Sequence, residues 1–236
     1  MPLNKIERIS RGQQVYEGTG SCVEEEFFGH IDRPAYNELA YKFLNKQEVS
    51  DINNTQNPDE KFTKFLRMKD KAQKYFEDTL DIADRNKYID YENSMKLVEK
   101  CQTGNPENPN RSFSRALYNY IKERFHEKYT LKFFTAAGGS HLDVKHKVDC
   151  FFKLYQADEN GQLQELTSAS IDLTMRDNKT DSKADLLFGI KDDERDKYDR
   201  SSNNKEFDSK FFDEKISAFG DRVIETLIEN YQRNNN

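Results

Sequence analysis

Apolar residues recur along the chain at two different spacings, and the change from one to the other divides it. Over 34–47, Leu39, Phe43 and Leu44 keep a helical interval behind Pro34, a residue suited to a first helical turn. Pro58 opens a second helix, whose stripe is Phe62, Phe65, Leu66, Met68, Ala72, Phe76, Leu80 and Ala83. A third helical stretch covers about 88–99. Ser112 or Ser114 caps a fourth, running to about Lys128 with Phe113, Ala116, Leu117, Tyr120 and Ile121 on its apolar side. Phe212, Ile216, Phe219, Val223, Leu227 and Tyr231 mark a last helix from about Ser209, fraying over 233–236. The polar stretch 50–57 reads as a loop, and 104–110, with Pro106 and Pro109, as a linker.

After residue 130 the interval falls to two. The apolar run 131–137 predicts a strand. Over 147–156, Val148, Cys150, Phe152 and Leu154 share one face, and Asp149, Phe151, Lys153 and Tyr155 the other. Asn160-Gly161 supplies a hairpin turn. The return strand, 163–175, sets Ile171, Leu173 and Met175 against Asp172 and Thr174. A polar loop over 177–181 carries Lys179, and 182–190 reads as a short helix or strand. The Ser-, Asn- and charge-rich stretch 191–209 predicts an exposed, mobile loop.

Residues 1–30 say less. Ile6, Ile9 and Val15 are sparse, and Gly12, Gly18 and Gly20 punctuate them. Gly18-Thr19-Gly20-Ser21 lacks the lysine of a phosphate loop and reads as a turn. Glu24-Glu25-Glu26 before Phe27-Phe28 reads as a first helical turn with a solvated acidic face. The expected fold class is therefore α+β. A mostly helical region spans 1–103, an α/β core 111–190, a charged loop 191–209, and a helix packing on the core 210–232.

Composition narrows the function. Hydrophobic residues make up 35% and charged residues 34%, but 17 Phe and 12 Tyr supply a core. A net charge of -6 argues against a non-specific nucleic-acid coat, which is usually basic. It leaves room for an acidic site neutralised by metal. Cys22, Cys101 and Cys150 form no Cys-x-x-Cys pair, so neither a disulfide framework nor structural zinc is expected. No apolar run is long enough to cross a membrane, and the start of the chain lacks a signal-peptide core. The default is a cytoplasmic protein.

The chemistry concentrates in the hairpin. Aspartate is disfavoured within strands and costly to bury, yet Asp149 and Asp172 lie on partner strands. Facing each other ~4 Å apart, two carboxylates repel by about 4 kcal/mol at an effective dielectric of 20. Protonation, a nearby lysine or a hard divalent cation relieves that repulsion. Glu123 and Glu127 stay near the packed side of the preceding helix, where a carboxylate also needs a partner. His141 and His146, with no third His or Cys nearby, read as exposed loop residues. No Gly-x-Ser-x-Gly signature supports acyl chemistry.

A helix bearing an acid, then a strand, then an acidic hairpin resembles the PD-(D/E)XK nuclease superfamily over about residues 112–190. Val148-Asp149 is similar to its first motif half, with Val for Pro. Ile171-Asp172-Leu173-Thr174 is similar to the second, with Thr174 where the family has lysine. The resemblance implies a restriction-endonuclease-like core: a small mixed sheet with an acidic hairpin flanked by helices. It implies Mg²⁺ or Mn²⁺ held by Asp149, Asp172 and the Leu173 carbonyl, with Glu123 or Glu127 completing the shell. Lys179 or Lys183 would supply the lysine, with Lys147 and Lys153 behind them, and Asp143 would be an accessory acid or a loop cap. The implied activity is metal-dependent phosphodiester hydrolysis, with DNA as the expected substrate and a homodimer or larger assembly left open. The competing expectation, favoured by Thr174, is a catalytically degenerate member of the same fold serving in a phage or defence assembly. A third is a helical interaction module whose hairpin carries no site.

Overall fold

The computed structural model describes residues 19–77, 88–175, 179, 182–198 and 207–235. The expectations for Ile6, Ile9, Gly12, Val15, Gly18, Leu80 and Ala83, and for most of 177–181 and 199–206, fall outside these residues.

Among the described residues the chain is mixed α+β. Its centre is a four-stranded sheet in the order β1-β2-β3-β4. The strands are β1 Tyr129–Thr135, β2 Cys150–Ala157, β3 Leu163–Thr174 and β4 Leu186–Gly189. β1, β2 and β3 form an antiparallel meander, and β4 runs parallel to β3. The predicted hairpin is β2–β3. Its turn closes where Asp158 Oδ1 accepts the N–H groups of Asn160 and Gln162 and Gly161 takes φ 78°. A bulge at the Leu154/Tyr155 step shifts the register, pairing Leu154 with Thr167 but Tyr155 with Glu165. Residues 182–190, open between helix and strand in the sequence, provide β4.

Both faces of the sheet are covered. On one face Cys150, Phe152, Leu154, Ala169, Ile171 and Leu173 pack with α1 Thr19–Phe28, α6 Ser112–Lys122 and α8 Ser209–Asn235. On the other, Phe134 and Phe151 pack with Ile31, Tyr36 and Ala40 of α2 Arg33–Leu44 and its approach, with Met95, Leu97 and Val98 of α5 Tyr91–Glu99, and with Leu142 of α7 His141–His146. The helical N-terminal region therefore shares a core with the sheet. Val148 joins this second face and not that of Cys150, because it precedes the strand. Lys147 before it is left-handed at φ 57°, which turns the chain out of α7.

Several element limits differ from expectation. The polar stretch 50–57 is partly helical, since α3 Lys46–Asn53 follows α2 after Asn45. In α4 Pro58–Glu77, Met68 and Ala72 are buried, but Phe62 is 63% and Leu66 45% exposed, so the apolar stripe is wider than the surface that covers it. α6 ends at Lys122, and its N-cap is Arg111 without a side-chain cap bond, in place of Ser112 or Ser114. Tyr231 at the end of α8 is 43% exposed. The charged stretch after β4 contains a 3-10 helix, Asp192–Tyr198. Tyr198 is buried edge-on to Phe27 and Phe113, so a tyrosine anchors a segment whose charge suggested a free loop.

Candidate metal centre

The acids gather at one end of the sheet, where β2 begins and β3 ends. Asp149 lies just before β2. Its backbone N–H donates to Ile171 O at 2.9 Å, and its carbonyl accepts Ala136 N and Ala137 N. Its Oδ2 accepts the Leu173 N–H at 2.6 Å. One carboxylate oxygen thus stitches the strand ends.

Asp143 comes from α7. Ser140 caps that helix by accepting the Asp143 N–H at 3.1 Å, and Asp143 Oδ2 accepts the Gly139 N–H at 3.0 Å. The loop-cap expectation for Asp143 is met by this pair. The preceding turn needs its glycines, because Gly138 and Gly139 take φ 103° and 89°.

The third acid is Glu24, in the middle of α1. Ligand oxygens of Glu24, Asp143 and Asp149 all lie within 4.8 Å of one another. α1 is held there by its C-terminal link. Thr135 Oγ1 donates to Gly29 O, Thr103 Oγ1 donates to His30 O, and Ile31 N donates to Ala137 O. Glu24 is half-buried in the acid group and does not lie on the solvated acidic face that its neighbours Glu25 and Glu26 suggest. The signal was present in the spacing. Val23, Phe27 and Phe28 are buried, and Glu24, three and four residues before the two phenylalanines, borders their side of the helix.

Asp172 stands beside this group on β3 and is 1% exposed. Lys179 Nζ lies 2.7 Å from each of its oxygens, with hydrogen-bond geometry to Oδ1. Thr174, at the family's lysine position, is buried on β3 and pairs with Gly189. A lysine five residues downstream thus reaches the second acid.

Electrostatics reflect the crowding. Burial, then the charges of Asp143 and Asp172, pushes the Glu24 carboxyl up to about 7, and Lys179 pulls the other way. Burial pushes Asp143 up to about 6, partly offset by the Gly139 N–H and by Lys147. Asp149 is raised well above the ordinary carboxylate range by burial first, then by Glu24, Asp143 and Asp172. In the absence of a cation these acids are not all ionised at neutral pH. The donor set suits a hard divalent ion, which takes carboxylate oxygens and leaves positions for water. Oxygens sharing one such ion stand about 3–5 Å apart, and the three acids here bring oxygens within 4.8 Å of one another.

The other candidates lie elsewhere. Glu123 is the exposed C-cap of α6 and Glu127 is exposed beyond it; neither belongs to the acid group. The chain leaving α6 enters β1 at Tyr129, which pairs with Gln156 at the far end of β2 from Asp149. Lys183 is exposed, and no described contact ties its amine to these acids; its backbone N–H donates to His146 O. Lys153 is buried between Glu99 and Glu165 at 2.7 and 2.6 Å. Leu173 meets the site through its N–H, which donates to Asp149 Oδ2. His141 and His146 are not exposed loop residues. Both lie on α7, where His141 Nδ1 is 3.1 Å from the Tyr36 hydroxyl and buried His146 donates through Nε2 to Ile89 O.

Family models, curated proteins and solved structures give no match to this chain. No described helix is long and apolar enough to cross a membrane. The reading of the site therefore rests on its own geometry.

Proposed function

We propose that this chain is a divalent-metal-dependent phosphodiesterase of the PD-(D/E)XK type acting on DNA, built on a restriction-endonuclease-like core. The observation that carries the reading is the convergence of Glu24, Asp143 and Asp149 within 4.8 Å, beside the buried Asp172–Lys179 pair. A mixed sheet, with β4 parallel to β3 after an antiparallel meander, supports the same core.

Glu24, Asp143 and Asp149 would hold Mg²⁺ or Mn²⁺. When bound, such an ion polarises a phosphoryl oxygen and lowers the pKa of a bound water. Lys179, held by Asp172, would orient the attacking water or meet negative charge developing on phosphorus. Asp149 also holds the end of β3 through Leu173 N–H, so its position is set before any ion arrives.

The test is cleavage of supercoiled, linear and single-stranded DNA in Mg²⁺ and in Mn²⁺, by wild type, Glu24→Gln, Asp149→Asn and Lys179→Ala. Loss of about 10²-fold or more in each variant is expected, in line with removal of charge-stabilising groups. Equal cleavage by wild type and all three variants would place the activity elsewhere. The second reading, a degenerate nuclease-like component of an assembly, is favoured by Thr174 at the lysine position. Calorimetric Mn²⁺ binding without cleavage of any substrate would select it.

A further inference from the structure

Two lysines act on the acid group, and they stand in different states. Lys179 Nζ lies 2.7 Å from both oxygens of Asp172, a carboxylate that is 1% exposed, so its charge is already matched. Lys147 stands at the end of α7, two residues before Asp149. Burial pushes the Asp143 carboxyl up and the Lys147 charge pulls it back; at Glu24 the opposing charge is Lys179. Yet half-buried Lys147 closes no ion pair and no side-chain hydrogen bond among the described residues. An aspartate and a lysine four residues apart along a helix usually pair. Here the Lys147 N–H donates to Asp143 O at 3.1 Å, and the chain then turns left-handed at φ 57° and ψ 50°. Lys147 is the one described non-glycine residue with a positive φ. A helix end in this conformation favours glycine, and a lysine there is strained. Backbone groups do the holding, through Asp143 O and through Ser182 Oγ, which donates to Lys147 O at 3.2 Å. A strained residue with no structural partner for its amine, beside buried acids, points to a use outside the fold.

We propose that Lys147 is a substrate-contacting residue of this site, its ammonium meeting a non-bridging oxygen of the phosphate that an ion on Glu24, Asp143 and Asp149 would hold. The proposal rests on the nuclease reading above. Lys179 is then left to the water, and Lys147 to the phosphate. An ammonium is a compact point charge on a flexible stem, suited to one oxygen of a ligand that arrives after the fold is complete. A charge-assisted hydrogen bond of this kind is about twice as strong as a neutral one.

The experiment uses the full chain and a fluorescent DNA oligomer, with cleavage kinetics in Mg²⁺, calorimetric binding of Mn²⁺ alone, and thermal unfolding in chelator. Lys147→Met removes the charge and keeps the bulk, and Lys147→Gly also relieves the backbone. Both are expected to lower kcat/KM about 10- to 100-fold. Mn²⁺ should bind both variants as tightly as wild type or more tightly, because a cation beside the acids is gone. Lys147→Gly is expected to melt about 2–4 °C above wild type, so that the more stable protein is the less active one. Lys147→Arg should recover part of the lost activity. Wild-type cleavage by both Lys147→Met and Lys147→Gly overturns the proposal and leaves the nuclease reading intact. Losses accompanied by a lowered melting temperature or weaker Mn²⁺ binding also overturn it, since they mark a structural role. A wild type that does not cleave removes the nuclease reading and this proposal together.

Discussion

Neutralising Glu24 should stabilise the metal-free protein, and only at high pH. The group's carboxyl is raised from 4.5 to about 7, so the native state holds its proton more tightly than the unfolded chain does. Stability from this group is complete below pH 4.5 and is lost as pH rises through 7. Integrated from pH 5 to 7.5, the loss is about 2 kcal/mol. Glu24→Gln removes the titration. The variant should match wild type within about 1 kcal/mol at pH 5 and exceed it by about 2 kcal/mol more at pH 7.5. In melting temperature that difference is about 4–8 °C. The assay is urea or thermal unfolding of both proteins in chelator across this range. Glu38, Glu48 and Asp90, whose carboxyls are lowered by hydrogen bonds and lysine partners, stabilise above their unfolded pKa and lose that contribution at acid pH. They are common to both proteins and cancel in the difference. Saturating Mn²⁺ should reverse the order at pH 7.5, since an ion at 100 times its Kd contributes about 2.7 kcal/mol to a site that binds it. Parallel pH curves for the two proteins in chelator would refute the reasoning, because Glu24 would then feel neither burial nor its neighbouring acids.

Three further outcomes are expected. Asp149→Ala should unfold at lower urea than Asp149→Asn in chelator, by about 1–3 kcal/mol, because only Asn leaves an acceptor for Leu173 N–H; equal midpoints would mean that bond contributes nothing. Lys179→Met should cost about 3–5 kcal/mol by stripping the cation from a carboxylate that is 1% exposed, and adding Asp172→Asn should restore part of it; additive losses would argue that the two side chains do not interact. Gly220→Ala should cost about 1–3 kcal/mol, because its Cβ would stand 2.4 Å from Tyr120 Cδ1 between α6 and α8; a smaller penalty in a Tyr120→Ala background would confirm the contact, and an unchanged one would exclude it.

The sheet was the most legible part of the chain because its signals were redundant. Alternation, β-rich composition and an Asn-Gly turn all point to β2–β3, and the structure differs there mainly in the bulge at Leu154/Tyr155. A bulge is a two-against-one mismatch between strands, so one strand's sequence does not reveal it. Helix existence was legible and helix limits less so. Arg111 caps α6 although Ser112 follows it, because cap choice depends on where the chain enters the core. Phe62 and Leu66 had the right period but a partner surface too narrow to cover them. Tyr198 shows the converse, since one buried aromatic ring holds a segment that local charge suggested was free.

The site was half legible, for a reason that lies in chain order. Asp149 and Asp172 stand out because aspartate in a strand demands a local explanation. Glu24 does not, because an acid in a helix violates nothing locally. Its cost appears only once α1 is laid against β3, more than a hundred residues later. Chain order points to Glu123 and Glu127 as the helical acid because α6 immediately precedes β1. Sequence neighbours are usually neighbours in space, but α6 meets the sheet through Phe113, Leu117 and Ile121, and its acids fall after its last buried turn. α1 takes that place instead because Gly29, His30 and Ile31 are tied to Thr135, Thr103 and Ala137. Two of those ties are donated by threonine hydroxyls and one by a backbone N–H, and residue type alone does not say which carbonyl a threonine will meet. What could have been read is the position of Glu24 beside Val23, Phe27 and Phe28. An acid bordering a buried helical stripe is costly unless paired or ion-bound, and that rule, applied evenly along the chain, singles out Glu24 as firmly as Glu123.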